Sequence, residues 1–335
     1  MSRKLLRCLG CAVILCAMTL TGMTHAYDRP ERKPAIVLAA FGTSQPEALE
    51  ALLNIEEMVK KAFPGYDVHL AFTSNIIRHI WHERTGDAEF KRENPDVPAE
   101  MYSIANVLTT LANIQEGGAR LVLVQSLHVT DGEEYTDLAN LVKALSGYKT
   151  MKPTLHPFPW IGVGEPALGL EDGQEKYLER AAVALGPIAR KAWETSSSLV
   201  FVGHGNEHLN QEVFAKLETI LRKKYGEHIY IGTVEAEPFA EEIAEAMKAK
   251  ANSPKNIFLA PLMVVAGDHA KNDMAGDEED SWSSIFQEQG FTVEPYLVGL
   301  GSLNEWAEIY VEHLRALESK VTAQKAQDDA AAEAD

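Results

Sequence analysis

Short apolar runs that break off into glycine-flanked polar residues recur along this chain, and they constrain its fold more than any other feature. Ser198 to Gly203 runs into His204-Gly205, His228 to Val234 into Glu235, and Asn256 to Ala266 into Gly267-Asp268-His269. Each run reads as a buried strand, and the stretches between them, about Leu209 to Tyr225 and Glu237 to Lys250, carry helical spacing. Strands alternating with helices of this length predict βαβ units and parallel sheets. In open α/β sheets the ligand crevice lies outside the carboxyl ends of the strands, which is where His204, Glu235 and His269 would stand.

The first half follows the same order. Strands are expected at Ala35 to Phe41, Asp67 to Thr73, Arg120 to Leu127 and Thr154 to Val163, with helices near Glu47 to Phe63, Pro98 to Glu116 and Thr136 to Ser146. The fold expected is therefore α/β: two similar lobes, each a parallel sheet flanked by helices, separated by an interlobe cleft. The lobes would span 34–164 and 198–301, joined by a linking helix over 165–197. The closing segments Thr154 to Gly164 and Thr292 to Gly301 share Pro and Gly punctuation and suggest an internal duplication. A last amphipathic helix over 302–323 places Trp306, Ile309, Tyr310, His313 and Leu314 on one stripe, which makes His313 a packing residue. The tail 324–335, rich in Ala and Asp without apolar periodicity, is expected to be disordered.

Residues 1–26 have the layout of a secretory signal: Arg3, Lys4 and Arg7, an apolar stretch from Cys8 to about Leu20, then Thr24-His25-Ala26 as a cleavage site. That stretch is short for a membrane span, so a protein exported to the periplasm, with no stable membrane insertion after cleavage, is the expectation. All three cysteines, Cys8, Cys11 and Cys16, fall in this leader. The remainder has no thiolate, which leaves metal chemistry to His, Asp and Glu. The net charge of −18 argues against nucleic acid as a partner. Neither a Gly-x-x-x-x-Gly-Lys-Ser/Thr phosphate loop nor a Gly-x-Ser-x-Gly elbow is present.

Two imidazoles and a carboxylate from neighbouring strand ends suit a divalent transition metal. Glu237 competes with Glu235 for the inward-facing place if the strand ends one pleat later. The Gly-His-Gly end at 203–205, the Gly-Thr-Val-Glu end at 232–235 and the segment Gly267 to Gly276, in that order, resemble the anaerobic-type sirohydrochlorin cobaltochelatases, a branch of the class II chelatases. The opening Ala35 to Ser44 is similar to that family's first strand and turn, and the resemblance runs from about residue 34 to about 320. It implies a metal chelatase that takes Co2+, with Fe2+ as an alternative, and sirohydrochlorin as substrates. It also implies metal-binding and proton-accepting roles for His204 and His269, with Glu235 completing the metal site.

Further candidates come from the residues themselves. Glu133 and Glu134 follow the third strand where the second half puts Asp268 and His269, so they are candidate proton relays. His128 is a candidate axial imidazole for haem. His79 and His82 share a helical face, read here as solvent-exposed rather than metal-binding. Arg78, Arg84 and Lys271 are the cations available near strand ends for a polycarboxylate ligand. Asp268 and Asp273 read as helix caps rather than as partners of His269. A two-lobed, acidic, exported chain also fits a periplasmic carrier of haem, metal or another solute that binds without turnover. Monomer and homo-oligomer are both compatible with the sequence.

Overall fold

The computed structural model describes residues 33–152, 155–170, 174–205 and 212–334. The leader at 1–26 lies outside the described residues. Two four-stranded parallel sheets share one strand order. In the first, β1 (Ala35–Ala40), β2 (Asp67–Phe72), β3 (Leu121–Ser126) and β4 (Trp160–Gly164) lie as β2-β1-β3-β4. In the second, β5 (Ser198–Gly203), β6 (Ile229–Thr233), β7 (Asn256–Pro261) and β8 (Thr292–Pro295) lie as β6-β5-β7-β8. The central strands β1 and β5 are buried along their whole length, as strands covered by helices on both faces must be.

Helices α1 (Leu49–Ala62), α2 (Asn75–Glu83), α3 (Ala88–Glu93), α4 (Val107–Glu116) and α5 (Glu133–Gly147) follow the strands of the first lobe. On α1 the residues Leu49, Leu52, Ile55 and Val59, at helical spacing, are fully buried. The second half carries α6 (Gln174–Ala184), α7 (Gly186–Glu194), α8 (Glu212–Tyr225), α9 (Ala240–Ala249) and α10 (Trp282–Glu288), and α11 (Asn304–Ala334) ends the chain.

Three expectations are corrected. The linking segment is not one helix: 165–170 is irregular, and α6 and α7 meet at Gly186-Pro187, where Pro occupies the first turn of α7. The closing strands are much shorter than expected. Their register pairs Leu121 with Trp160 and Asn256 with Thr292, so Trp160, not Thr154, is the counterpart of Thr292. The duplication thus lies in topology and not in the segment that suggested it. Finally, the tail is helical to Ala334. Trp160 Nε1–H donates to Asp328 (3.0 Å), and Lys325 and Asp329 pair one turn apart (2.8 Å).

The lobes are not separate bodies. The chain leaves β8, packs Leu300–Ser302 against α1, and returns α11 to the first sheet, against β3 and β4. One hydrophobic cluster consequently runs through both lobes, joining Ile36 and Leu38 to Phe201 and Leu262 by way of Trp306, Tyr310 and Leu314. The outer face of each sheet has its own smaller cluster. His313 packs as expected: it is buried, its Nδ1 donates to the Glu165 carbonyl (3.0 Å), and its ring meets Tyr177 edge-on. Among the described residues no helix is long and apolar enough to cross a membrane.

Candidate metal centre

His204 is placed by the turn that ends β5. Gly205 there has φ of +81°, and a Cβ at that position would lie 2.5 Å from Thr233 Oγ1, so a side chain is excluded twice over. The turn fixes the imidazole at the carboxyl edge with 47% of the side chain exposed. Its Nδ1 faces two acceptors, the Gly205 carbonyl at 2.8 Å and Glu235 Oε2 at 3.5 Å. Nδ1 therefore carries a proton, and Nε2 is the nitrogen that can present a lone pair. Glu235 is itself anchored by its backbone N–H, which donates to the His204 carbonyl (2.9 Å). The carboxylate beside His204 is thus Glu235, not Glu237.

His269 opens a single π-helical turn, Ala270–Met274, after β7. Such turns change which residues face each other and occur often at functional sites. The Asp273 carboxylate accepts from His269 Nδ1 at 2.5 Å, while Asp268 accepts from Asn272. Asp273 is not a cap: it holds Nδ1–H of the imidazole, so Nε2 is again the nitrogen that can present a lone pair. Carboxylates in this position orient metal-binding histidines and raise their basicity. The spacing of His269 and Asp273, four apart at the start of a helix, was the available signal for this role.

The two rings lie edge to face with centroids 4.6 Å apart. Two imidazoles, each with Nδ1–H engaged by an acceptor, thus stand together at one sheet edge. Glu235 approaches His204 from the Nδ1 side, away from the lone pairs. Accordingly, no three His, Cys, Asp or Glu side chains among the described residues are gathered tightly enough to enclose an ion as they stand.

The first lobe repeats this edge with different residues. Leu127 N–H donates to the Ala39 carbonyl as Leu262 N–H donates to that of Val202 (2.8 and 2.7 Å). Gly132 follows Leu127 at the interval at which Gly267 follows Leu262, so Glu133 and Glu134 are the counterparts of Asp268 and His269. Both glutamates are exposed in the first turn of α5, and Glu134 accepts from Thr73 Oγ1 (2.6 Å) at the end of β2. The lobes meet beside this edge: a Cβ placed on Gly267 would lie 3.2 Å from Thr43 Oγ1, and Lys271 reaches across to Glu47 and Gln45. The hydrogen bond from Lys271 holds the Glu47 carboxyl below its usual range.

Other candidates are committed elsewhere. His128 is not a haem ligand in this fold: Nδ1 contacts Ser126 Oγ (2.8 Å), and Nε2 is sealed from solvent with no hydrogen-bond partner among the described residues. Burial pushes this imidazole down to about 4. Arg78 is buried and donates to the Phe72 and Thr73 carbonyls, tying down the end of β2. Arg84 donates to the Ser44 carbonyl and stacks on Trp81 and Phe90. With Lys271 bound to Glu47, none of the three cations expected to meet a polycarboxylate is free. His79 pairs with Glu83 and His82 contacts the Ile104 carbonyl, so the two rings are engaged by different partners.

The comparisons with known proteins agree with this geometry. A family model described as cobalt chelatase (CbiK) matches residues 34–318. The sirohydrochlorin cobaltochelatase CbiKC of Nitratidesulfovibrio vulgaris, strain Hildenborough, is 31% identical over 288 residues, covering 86% of this chain and 91% of the relative. A sirohydrochlorin cobaltochelatase of Salmonella typhimurium is 28% identical over 283 residues, covering 84% and 95%. Among solved structures, the sirohydrochlorin chelatase SirB from Bacillus subtilis subspecies spizizenii, in complex with cobalt, superposes with a TM-score of 0.54 over 87% of this chain and 98% of SirB. At 11% identity that likeness speaks to the fold. Two lobes of one topology, an imidazole pair at a sheet edge and a match over nearly all the described residues lead to one conclusion: the chain belongs to the cobalt chelatase (CbiK) family.

Proposed function

We propose that this chain inserts Co2+ into sirohydrochlorin without nucleotide hydrolysis, with Fe2+ as a competing ion. The observation that carries this reading is the pair of edge-to-face imidazoles at one sheet edge, each with Nδ1 engaged by an acceptor so that Nε2 is the nitrogen available to an ion. Metal insertion replaces two pyrrole N–H protons by one divalent ion, so the site must hold the ion and take up two protons. Neutral imidazole does both near neutral pH. His204 and His269 hold the incoming ion through Nε2 and accept the protons as the ion passes to the macrocycle. Glu235, rotating from the Nδ1 side of His204, completes the ligand set and offsets the ion's charge. Glu134, with Glu133 beside it, relays protons from the opposite lobe.

The leader supports a further part of the proposal: the protein works in the periplasm after the signal is removed. The test is N-terminal sequencing of protein from a periplasmic extract, with a start near residue 27 expected. The hydrophobic cluster shared between lobes favours an enzyme with a standing cleft over a carrier that closes by hinge motion. Turnover separates the two, because a carrier stops at one equivalent of sirohydrochlorin while a chelatase converts an excess. Replacing His269 or His204 with Ala is expected to slow metallation about a hundred-fold or more, followed by the product's absorbance. Unchanged rates in both variants would defeat the assignment.

A further inference from the structure

We propose that the Phe41 ring is the platform against which the macrocycle face rests, opposite the imidazole pair. Backbone register identifies the position. Thr73 N–H donates to the Ala40 carbonyl as Val234 N–H donates to that of Gly203, and Ser74 N–H donates to the Phe41 carbonyl as Glu235 N–H donates to that of His204. Phe41 is therefore the first-lobe counterpart of His204, as Ser74 is of Glu235. Where one half of the duplicated fold presents an ion-binding ring, the other presents an apolar one.

The ring is held in the open. Every residue of β1 is buried, yet Phe41, one position beyond the strand, is 46% exposed. A single exposed Phe is ordinary on a protein surface; this one stands at a fixed turn on the carboxyl edge of the first sheet. Gly42 has φ of +99°, and a Cβ there would lie 2.6 Å from the Phe72 ring, so the turn admits no other backbone course. Its mate Gly205 has φ of +81° and fixes His204 in the same way. Two residues beyond Phe41, Thr43 lies against the Gly267 turn that leads to His269, since a Cβ on Gly267 would be 3.2 Å from Thr43 Oγ1, so the turn bearing Phe41 and the turn bearing His269 adjoin.

The chemistry requires such a surface. A conjugated tetrapyrrole is a flat body with apolar faces and an anionic rim, and imidazoles reaching for its central nitrogens address one face only. An aromatic ring on the other face holds the plane by dispersion and offset stacking and keeps water from it. With Arg78, Arg84 and Lys271 committed within the protein, face contact takes a larger share of substrate binding than rim charge does.

This assignment rests on the chelatase reading, and the experiment separates the two. Sirohydrochlorin turnover is measured for wild type, F41A, F41L and F41Y, alongside Co2+ affinity without the macrocycle. F41A is expected to raise KM for sirohydrochlorin about ten-fold while kcat and Co2+ affinity stay near wild type. F41L should recover little of this and F41Y nearly all. A wild-type KM in F41A, or full recovery in F41L, overturns the platform and leaves the chelatase reading standing. Absence of turnover in the wild type removes both. Thermal unfolding of each variant checks the fold, and because the ring is exposed no large change is expected.

Discussion

Asp273 decides which nitrogen of His269 is free, so it should act on metal binding without touching the ion. Asp273→Ala removes the acceptor at Nδ1 and lets the imidazole turn and change tautomer. Co2+ affinity is expected to fall about 10- to 100-fold, with Asp273→Asn intermediate, and the melting temperature should hold because both side chains are substantially exposed. Isothermal titration with Co2+ measures this, and an unaltered affinity in the alanine variant would sink the orienting role. His128 shows the opposite situation, an imidazole with no part in the site and a cost to the fold. Its folded pKa, about 4, lies below the unfolded value of 6.5, so the unfolded chain binds a proton that the folded one refuses. Stability therefore rises with pH between those values and is lost as pH falls through that window, by at most about 3 kcal/mol from this residue. His313, also lowered mainly by burial, adds in the same direction. His128→Met, which installs the residue that the second lobe carries at its Met263 counterpart, is expected to flatten the acid limb in urea denaturation between pH 4 and 7. An unchanged limb would mean that other groups dominate it.

Elements were legible where local pattern and tertiary setting agree. Ser198–Gly203 appears with the expected bounds because an apolar run flanked by Ser and Gly, buried on both faces, has nowhere else to go. The run from Ile257 to Ala266 is apolar throughout, yet the strand stops at Pro261; beyond it the Met263 and Val264 carbonyls accept from Leu300 and Gly301 N–H instead of a ladder partner, a change that composition does not reveal. His204, Glu235 and His269 could be read as strand-end residues; the orientation of Glu235 and the service of Asp273 could not, since both depend on side-chain rotamers. The C-terminal tail is the clearest miss. It lacks an apolar stripe, but its alanines favour helix, and extending an existing helix requires no nucleation. Pairs one turn apart, Gln324 with Asp328 and Lys325 with Asp329, support it, and Asp328 and Lys325 grip the Trp160 indole from its edge and face. Truncation after Ala323 should cost about 1 kcal/mol, a few degrees of melting temperature, while kcat/KM stays at the full-length value. A loss of activity on truncation would show that the helix end reaches the site.

At the scale of the molecule, the duplication joins two lobes that share a strand order but not a chemistry. Where the second lobe presents His204, Glu235 and His269, the first presents Phe41, Ser74 and Glu134. The core that runs through both lobes and the return of α11 to the first sheet keep these two faces in fixed relation, so the approach of the substrates, more than domain closure, is left to the long-range field. That field is strongly negative: the sequence carries a net charge of −18. A divalent cation is drawn to such a body and a polycarboxylate is repelled. Salt screens both effects, with a Debye length of about 30 Å at 0.01 M falling to about 8 Å at 0.15 M. Stopped-flow association should therefore slow for Co2+ and accelerate for sirohydrochlorin as ionic strength rises across that range, each by about several-fold. The opposite signs are the substance of the prediction, since viscosity or a general change in conformation would move both rates the same way. If salt slows sirohydrochlorin as well, a local patch of positive potential governs its entry, and one of the committed cations, Lys271 foremost, must leave its partner to meet the substrate.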